Sequence, residues 1–194
     1  MRKLTHADYL EMPWKNGGGV TTQLAIDPAS AGLDDFSWRI SMARVSRSGP
    51  FSQFPGVDRS LAIVEGAGLK LYMPGRFLLQ IDETSSAYAF PGEWNIDSTL
   101  VDGATTDFNV LTRRDVWTHT LEGLRLFRNV VMDGADDAFI YCVQGEAYVG
   151  DFVVAAGEAL QTGPCTMLEL CADAPSLLYL VRLYRKDEKR TIHA

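Results

Sequence analysis

The chain has 194 residues, of which 46% are apolar, and its 18 basic and 25 acidic side chains give a net charge of −7 at pH 7. This composition is typical of a folded globular protein and argues against intrinsic disorder. An acidic protein repels phosphate backbones and no apolar run is long enough to span a bilayer, so neither nucleic acid nor a membrane is an expected partner.

The chemistry of the first residues and of the cysteines indicates a cytoplasmic protein. In "MRKLTHADYLEMPW", Asp8, Glu11 and Pro13 interrupt any apolar segment of the kind that a secretory signal needs. The three cysteines lie in or beside apolar runs and lack C-x-x-C spacing; they are Cys142, Cys165 and Cys171. Buried free thiols of this kind are typical of a reducing compartment.

The first motif along the chain is "PWKNGGGVTTQLA", in which three glycines precede an alternating, strand-like run. Glycine is costly to order, so three in a row indicate a place where the backbone comes close to another group. In one interpretation the backbone N–H groups of Gly17 and Gly18 and the side chain of Asn16 contact a ligand. In the other the glycines form a bulge at the rim of a β-barrel. Both interpretations remain open.

The second motif, "FSWRISMARV", reads as a strand with two different faces. Side chains at alternate positions share a face, so Trp38 and Ile40 lie on one side and Arg39 and Ser41 on the other. The apolar face is predicted to belong to the core. The small, polar face either lies in solvent or forms the floor of a pocket in which Arg39 binds an anion.

The third motif, "RSGPFSQFPGVDRSLAIVEG", contains two turns marked by Gly-Pro and Pro-Gly. Phe51 and Phe54 lie between the turns, and we expect them to fix this loop to the body of the protein. Ser52 and Arg59 would then be held in place for ligand binding. Alternatively, Arg59 only begins a strand and points to water.

The fourth motif is "DFNVLTRRD", which places Asp107, Asn109 and Arg113 on one strand face. Asn109 offers both a donor and an acceptor, and the planar fork of Arg113 suits a carboxylate. Asp107 would orient that fork. The alternative is a surface ladder in which Asp107 pairs with an arginine of a neighbouring strand.

Short alternating runs separated by Gly, Pro, Asp and Ser clusters recur along the whole chain and predict an all-β sandwich or barrel. "LAIVEGAGLKLYM" resembles "FIYCVQGEAYVGD", and a second turn follows each, "FPGEW" and "AAGEA". A diverged duplication explains this echo, as would two generic hairpins.

The strand–Gly–strand–x-x-Gly-Glu pattern resembles the cupin barrel, whose metal-binding members carry a cluster of histidines. Here His6, His119 and His193 are scattered and none is near either glycine turn, so they cannot supply such a cluster. We therefore expect a barrel without a metal and without another cofactor.

Taken together, the four motifs resemble the HutD family of bacteria, which includes the Ves proteins, and they occur in that family's order between Pro13 and Asp115. The resemblance implies an all-β, RmlC-like cupin fold with two cupin-like barrels (a bicupin) in one compact unit over residues 1–194. The N-terminal half would cover about 1–110 and the C-terminal half about 111–185.

The resemblance also implies a function: a metal-independent regulatory protein of histidine utilisation that binds a small anionic metabolite. Urocanate, formiminoglutamate and formylglutamate are the natural candidates. A metal-free cupin isomerase or hydrolase, with Asp107 or His119 as general base, is the alternative. The sequence leaves a homodimer open.

From the strand faces, three arginines are the candidate anion-binding groups, and neutral or acidic neighbours complete the candidate site. No catalytic residue and no metal ligand is assigned. The candidate ligand-binding residues are Asn16, Gly17, Gly18, Arg39, Ser41, Ser52, Arg59, Asp107, Asn109 and Arg113.

Overall fold

The computed structural model describes residues 1–73, 75 and 78–186, so His193 lies outside the described residues. The described chain forms two units, an N-terminal unit (Tyr9–Asp115) and a C-terminal unit (residues 1–8 and 116–186). The first strand, β1 (Arg2–Leu4), and a short 3₁₀ turn (His6–Asp8) belong to the C-terminal unit.

The N-terminal unit consists of antiparallel strands in two sheets. Its strands are β2 (Leu10–Pro13), β3 (Gly19–Asp27), β4 (Trp38–Val45), β5 (Gly49–Pro50), β6 (Val57–Glu65), β7 (Leu69–Tyr72), β8 (Leu78–Ile81), β9 (Tyr88–Pro91), β10 (Asp97–Leu100) and β11 (Thr105–Arg113). The six-stranded sheet has the order β2-β3-β4-β11-β6-β9, and the four-stranded sheet has the order β5-β10-β7-β8.

The C-terminal unit is built in the same way. After β1, its strands are β12 (Trp117–Leu126), β13 (Val130–Ala135), β14 (Asp137–Gln144), β15 (Glu146–Val149), β16 (Phe152–Ala155), β17 (Ala159–Gln161), β18 (Cys165–Cys171) and β19 (Ser176–Arg185). The sheet orders are β1-β17-β14-β19-β12 and β13-β18-β15-β16. The predicted all-β fold is confirmed.

The two units share one strand order. The series β4-β11-β6-β9 in the first corresponds to β12-β19-β14-β17 in the second, and β5-β10-β7-β8 corresponds to β13-β18-β15-β16. The two similar sequence stretches occupy equivalent places, with Gly66 between β6 and β7 and Gly145 between β14 and β15. Both glycines have positive φ, 99° and 82°. Two unrelated hairpins would not give eight strands in the same order, so a diverged duplication explains the echo better.

The boundary between the units differs from the expected division at about 110. That position lies inside β11, and the division falls after Asp115. The first eight residues join the C-terminal unit because β1 pairs with β17, with Arg2 opposite Gln161 and Leu4 opposite Ala159. A pairing between strands so far apart in sequence leaves no local pattern to read.

Each unit has apolar side chains between its sheets. In the N-terminal unit, Leu61 and Ile63 of β6 pack with Leu69 and Leu71 of β7 and with Ile96. In the C-terminal unit, a larger apolar cluster includes side chains of β14, β19 and β18. No helix in the described part of the chain is long and apolar enough to cross a membrane.

Candidate functional site

Polar side chains from three neighbouring strands meet in the interior of the N-terminal unit. Paired residues of an antiparallel sheet point to the same side. Arg39 of β4 and Arg59 of β6 both lie opposite Leu111 of β11. One row along, Asn109 lies opposite Ser41 and Leu61, and in the next row Asp107 lies opposite Ala43 and Ile63. Since Leu61 and Ile63 face the core between the sheets, the polar side chains of these rows face the same interior.

These polar side chains are buried. The exposed fraction is 9% for Arg59, 5% for Arg39 and 1% for Asp107, while Ser41 and Asn109 are equally inaccessible. The interpretation that the polar face of β4 lies in solvent is therefore wrong, as is the interpretation of β11 as a surface ladder. Both faces of β4 are buried, because Trp38 and Ile40 on its other side are inaccessible as well.

A hydrogen-bonded relay connects Arg59 to Asp107 through one amide. Arg59 donates from Nε and Nη2 to Oδ1 of Asn109, at 2.9 and 2.5 Å. Asn109 in turn donates from Nδ2 to Oδ1 of Asp107 at 2.5 Å. A guanidinium only donates and an ionised carboxylate only accepts, so this orientation of the amide satisfies both neighbours. The predicted pairing of Asp107 with Arg113 is replaced by an indirect link to Arg59.

Two aromatic rings hold the Arg59 guanidinium in place. Its Cζ atom lies 4.4 Å from the centre of the Phe51 ring and 5.5 Å from the centre of the Phe90 ring. Such cation–π contacts strengthen when the cation is desolvated. The backbone N–H of Phe51 donates to the carbonyl of Ile96 at 2.8 Å, which fixes the start of this loop. Ser52, the next residue, is exposed on the loop.

Arg39 is only partly satisfied by the protein. Its Nε donates to Oε1 of Gln23 on β3 at 2.9 Å, and within the described residues its two Nη groups donate to no protein acceptor. The same is true of Nη1 of Arg59. The exposed fraction that remains is 5% for Arg39 and 9% for Arg59. The interior therefore contains guanidinium donors that the described protein acceptors leave unused.

The electrostatics of the site reflect its burial. Burial raises the pKa of Asp107 to about 6, although the charge of Arg59 and the hydrogen bond from Asn109 oppose this shift. Burial lowers the pKa of Arg59 to about 10; the charge of Asp107 opposes the change and that of Arg39 adds to it. Burial also lowers the pKa of Arg39. Near neutral pH the cluster holds two positive charges and one negative charge. The extra positive charge costs free energy because it is buried and has no counter-charge among the described residues.

The C-terminal unit shows that this polar interior is not needed for the fold. The positions equivalent to Asp107, Asn109 and Arg59 follow from the matching strand registers. They are occupied by Leu178, Leu180 and Ala138, which belong to the apolar core of that unit. Arg182, opposite Ala138, also lies on this face, but it forms an ion pair with Glu122. The same strand order therefore packs with a mostly apolar interior whose arginine has an acidic partner, and the excess positive charge of the N-terminal unit needs another explanation.

The glycine motif forms a tight turn between β2 and β3. Gly17 donates its N–H to the carbonyl of Trp14, and Gly18 donates its N–H to Oδ1 of Asn16, both at 2.9 Å. A Cβ atom on Gly19 would lie 2.5 Å from the carbonyl oxygen of Arg44 on the adjacent strand. These bonds use the N–H groups proposed for a ligand, and the glycines allow close approach to a strand. The geometry favours the barrel-rim interpretation.

Arg113 does not join the cluster. It donates to the carbonyls of Phe36 at 3.2 Å and Pro55 at 3.4 Å and also to the carbonyl of Asp34. Its Cζ lies 5.3 Å from the centre of the Phe36 ring. Alternation along β11 places it on the face of Asn109, but it comes at the end of the strand, where two loops meet it. Its fork therefore binds backbone carbonyls.

Two contributors to the cluster were not predicted, Gln23 and Phe90. A bulge in β3 hides the first: Gln23 pairs with Ser41, whereas Ala25 pairs with Ile40, so alternation breaks at Leu24. Phe90 reaches Arg59 because β9 pairs with β6, which no local pattern reveals. One sequence signal pointed to a partner such as Gln23. The small, polar face of β4 contains Arg39, and a buried arginine needs polar neighbours.

Two further features limit the alternatives. Among the described residues, no group of three or more His, Cys, Asp or Glu side chains is placed to hold a metal ion. An open groove of about 730 Å³ lies in the C-terminal unit, lined by residues 133–136, 164–167 and Tyr184. It contains none of the predicted site residues.

The sequence profile of the HutD family matches residues 6–180. The chain belongs to the HutD family. It is 41% identical over 114 residues to an uncharacterized 21.2 kDa protein in the hutC 3′ region of Pseudomonas putida, an alignment that spans 57% of each chain. It is 28% identical over 159 residues to the Ves protein of Citrobacter koseri, covering 80% of this chain and 81% of the relative.

Solved structures agree with this assignment. HutD from Pseudomonas fluorescens SBW25, determined in a formate condition, has a TM-score of 0.83 at 27% identity and covers 96% of this chain and 99% of its own. A Bacillus subtilis oxalate decarboxylase variant has a TM-score of 0.65 at 9% identity, over 94% of this chain and 77% of its own. That likeness concerns the fold alone, and the predicted cupin fold is confirmed.

Proposed function

We propose that this HutD-family protein is a metal-independent regulatory protein of histidine utilisation that binds the carboxylate of a pathway intermediate inside its N-terminal unit. Urocanate, formiminoglutamate and formylglutamate are the candidate ligands. The observation that carries the proposal is the buried charge of the interior, where Arg39 and Arg59 face a single carboxylate, Asp107.

A carboxylate ligand would supply what this interior lacks, which is a second negative charge and acceptors for the unused guanidinium donors. It would balance the excess positive charge, and it would accept hydrogen bonds from the Nη groups of Arg39 and from Nη1 of Arg59, which the described residues leave unused. Guanidinium forks match the planar geometry of a carboxylate, and such charge-assisted bonds are stronger than neutral ones. Ser41 and Gln23 supply neutral hydrogen-bonding groups beside the arginines.

The relatives support the choice of ligand class and pathway. The P. putida relative is described as lying in the hutC 3′ region, and the P. fluorescens relative bears the name HutD and was determined in a formate condition. These are properties of those proteins, and the extension to this chain is part of the proposal. Formate is also the smallest carboxylate, so it serves as a minimal probe of the site.

The test measures binding of the three pathway acids and of formate by calorimetry and by thermal shift. We expect at least one acid to bind and to raise the melting temperature. Arg39→Lys keeps the charge but loses the planar fork, and a charge-assisted hydrogen bond contributes about 1.5–3 kcal/mol, so affinity should fall about tenfold or more. Arg44→Lys, at an exposed position of the same strand, is the matched control and should bind normally.

Two results would overturn the proposal. If none of the acids binds at millimolar concentration, the interior is not a carboxylate site. If an acid binds equally well to wild type, Arg39→Lys and an Arg59→Lys variant that still folds, the ligand lies elsewhere.

One observation favours a second candidate, a metal-free enzyme acting on the same acids. Asp107 is buried in a polar interior and its pKa is raised to about 6, which suits a general acid or base near neutral pH. The other predicted base, His119, lies on β12 of the C-terminal unit, so the two residues belong to different units. Sustained conversion of urocanate or formylglutamate, lost in Asp107→Asn, would favour the enzyme.

A further inference from the structure

We infer that ligand binding in the N-terminal unit is coupled to a proton: a carboxylate ligand enters the interior together with one proton, which Asp107 accepts from solvent. This inference rests on the proposed function and adds to it a regulatory property, a dependence of ligand affinity on pH. No covalent bond to the ligand forms or breaks; the proton moves from water or buffer to the Asp107 carboxylate.

The proposed ligand would place a second carboxylate in the buried space that already holds Asp107. Asp107 is 1% exposed, and it reaches the cation Arg59 only through the amide of Asn109, by bonds of 2.5 to 2.9 Å. A ligand carboxylate on the free donors of Arg39 and Arg59 would lie at the other side of the same guanidinium. The ligand would pair with both arginines, so the ligand and Asp107 would share the Arg59 guanidinium. Two anions that share a buried site favour protonation of one of them.

Asp107 is the group in this interior that is able to take that proton near neutral pH. The charged groups facing it are Arg59 from β6 and Arg39 from β4, and neither arginine deprotonates in this range. The β3 strand presents Thr21 and Gln23 at the same rows. Across the interior, the four-stranded sheet presents the apolar Leu69 and Leu71.

Tyr88 of β9, opposite Leu61, also faces this interior. Its hydroxyl donates to the sulfur of Met73 at 3.4 Å. The pKa of Asp107 is already raised to about 6 by burial. A modest further rise on ligand binding therefore brings its protonation into the physiological range.

The sign of the expected effect follows from linkage. A ligand that raises the pKa of Asp107 binds the protonated protein more tightly, so affinity falls as pH rises above the pKa of the free protein, by at most tenfold per pH unit. For a rise of about one to two units, affinity for formylglutamate or formate should fall about tenfold between pH 6 and pH 8. Binding at pH 7 should take up about 0.4 to 0.8 of a proton.

The experiment is calorimetric titration of the full-length protein with formylglutamate, and with formate as minimal probe, from pH 6 to pH 8 in buffers of different ionisation enthalpy. The buffer dependence of the heat gives the number of protons taken up. Asp107→Asn should take up none, should bind with pH-independent affinity, and at pH 8 should bind about tenfold more tightly than wild type. Glu65→Gln, which removes an exposed carboxylate from the end of β6, should behave as wild type.

A direct measurement keeps the inference testable if Asp107→Asn does not fold. Carbon-13 NMR of the wild-type carboxyl groups should show the Asp107 resonance titrating at higher pH with formate than without it. Binding without proton uptake, or proton uptake that persists in Asp107→Asn, overturns the inference and leaves the proposed function intact. Absence of binding by formate and by all three pathway acids at every pH refutes the proposed function and the inference together.

Discussion

Arg113→Lys distinguishes a structural arginine from a ligand-binding one. The guanidinium of Arg113 bonds to three backbone carbonyls, those of Asp34, Phe36 and Pro55. It thereby connects the end of β11 to two loops, the one before β4 and the one before β6. Lysine keeps the positive charge, but its single ammonium at the end of a flexible stem cannot reach all three acceptors.

The magnitude follows from the bonds that are lost. We expect lysine to keep one of the three hydrogen bonds. The other two lie at solvent-exposed positions, so each contributes less than the roughly 1.5–3 kcal/mol typical of a bond to a charged group, about 1 kcal/mol. The free energy of unfolding should therefore fall by about 2 kcal/mol. For a chain of this size, that corresponds to a melting temperature lower by about 4–8 °C.

The assay pairs thermal denaturation with ligand titration on three variants. Arg113→Lys should lose stability and keep wild-type affinity for the acid that binds, whereas Arg39→Lys should lose affinity and keep most of its stability. Arg44→Lys, at an exposed position of β4, should change neither. An unchanged melting temperature for Arg113→Lys together with a tenfold loss of affinity would refute this reasoning and return Arg113 to the site.

Three further predictions concern the glycine turn and the polar relay. Gly19→Ala should destabilise the protein by about 1–3 kcal/mol in urea denaturation because its Cβ would lie 2.5 Å from the Arg44 carbonyl oxygen, while Gly49→Ala, with nothing within 4 Å, should change little. Asn109→Leu leaves the buried charges of Arg59 and Asp107 unlinked and should cost about 3 kcal/mol or more; a neutral result would show that the relay is dispensable. Because burial raises the pKa of Asp107 from 3.8 to about 6, its contribution to stability is full below about pH 4 and is lost as pH rises to about 6. The difference in unfolding free energy between wild type and Asp107→Asn should therefore change by about 3 kcal/mol over that window and stay level above it; a difference that does not vary with pH would contradict the raised pKa.

The sequence predicted the strands and most of the polar cluster, because alternation along a strand is a local property. Arg39 with Ser41, and Asp107 with Asn109, were correctly grouped on shared faces. Alternation shows which residues share a face, but it does not show whether a polar face lies in solvent or in the interior. Both faces of β4 are buried. The choice between a solvated face and a pocket floor therefore needed the structure.

Alternation also grouped Arg113 with Asn109, and there it was misleading. Side chains on one face of a strand point the same way, but they can have different neighbours along its length. Arg113 lies at the end of β11, where it contacts loop carbonyls. The opposite failure concerns Gln23, whose place beside Arg39 depends on a bulge in β3 and on the pairing of β3 with β4. Contacts between segments distant in sequence are set by tertiary pairing, which propensity and periodicity do not report.

The two units together show where the function of the chain is expected. Both units use the same strand order, but the C-terminal unit places leucines and an alanine where the N-terminal unit has Asp107, Asn109 and Arg59. An apolar interior is the cheaper solution, since each buried charge costs free energy unless it is paired. Natural proteins depart from such consistency mainly at functional sites. The N-terminal interior holds two arginines against one carboxylate, whereas Arg182 of the C-terminal unit forms an ion pair with Glu122. This difference favours the N-terminal interior as the place where an anion binds.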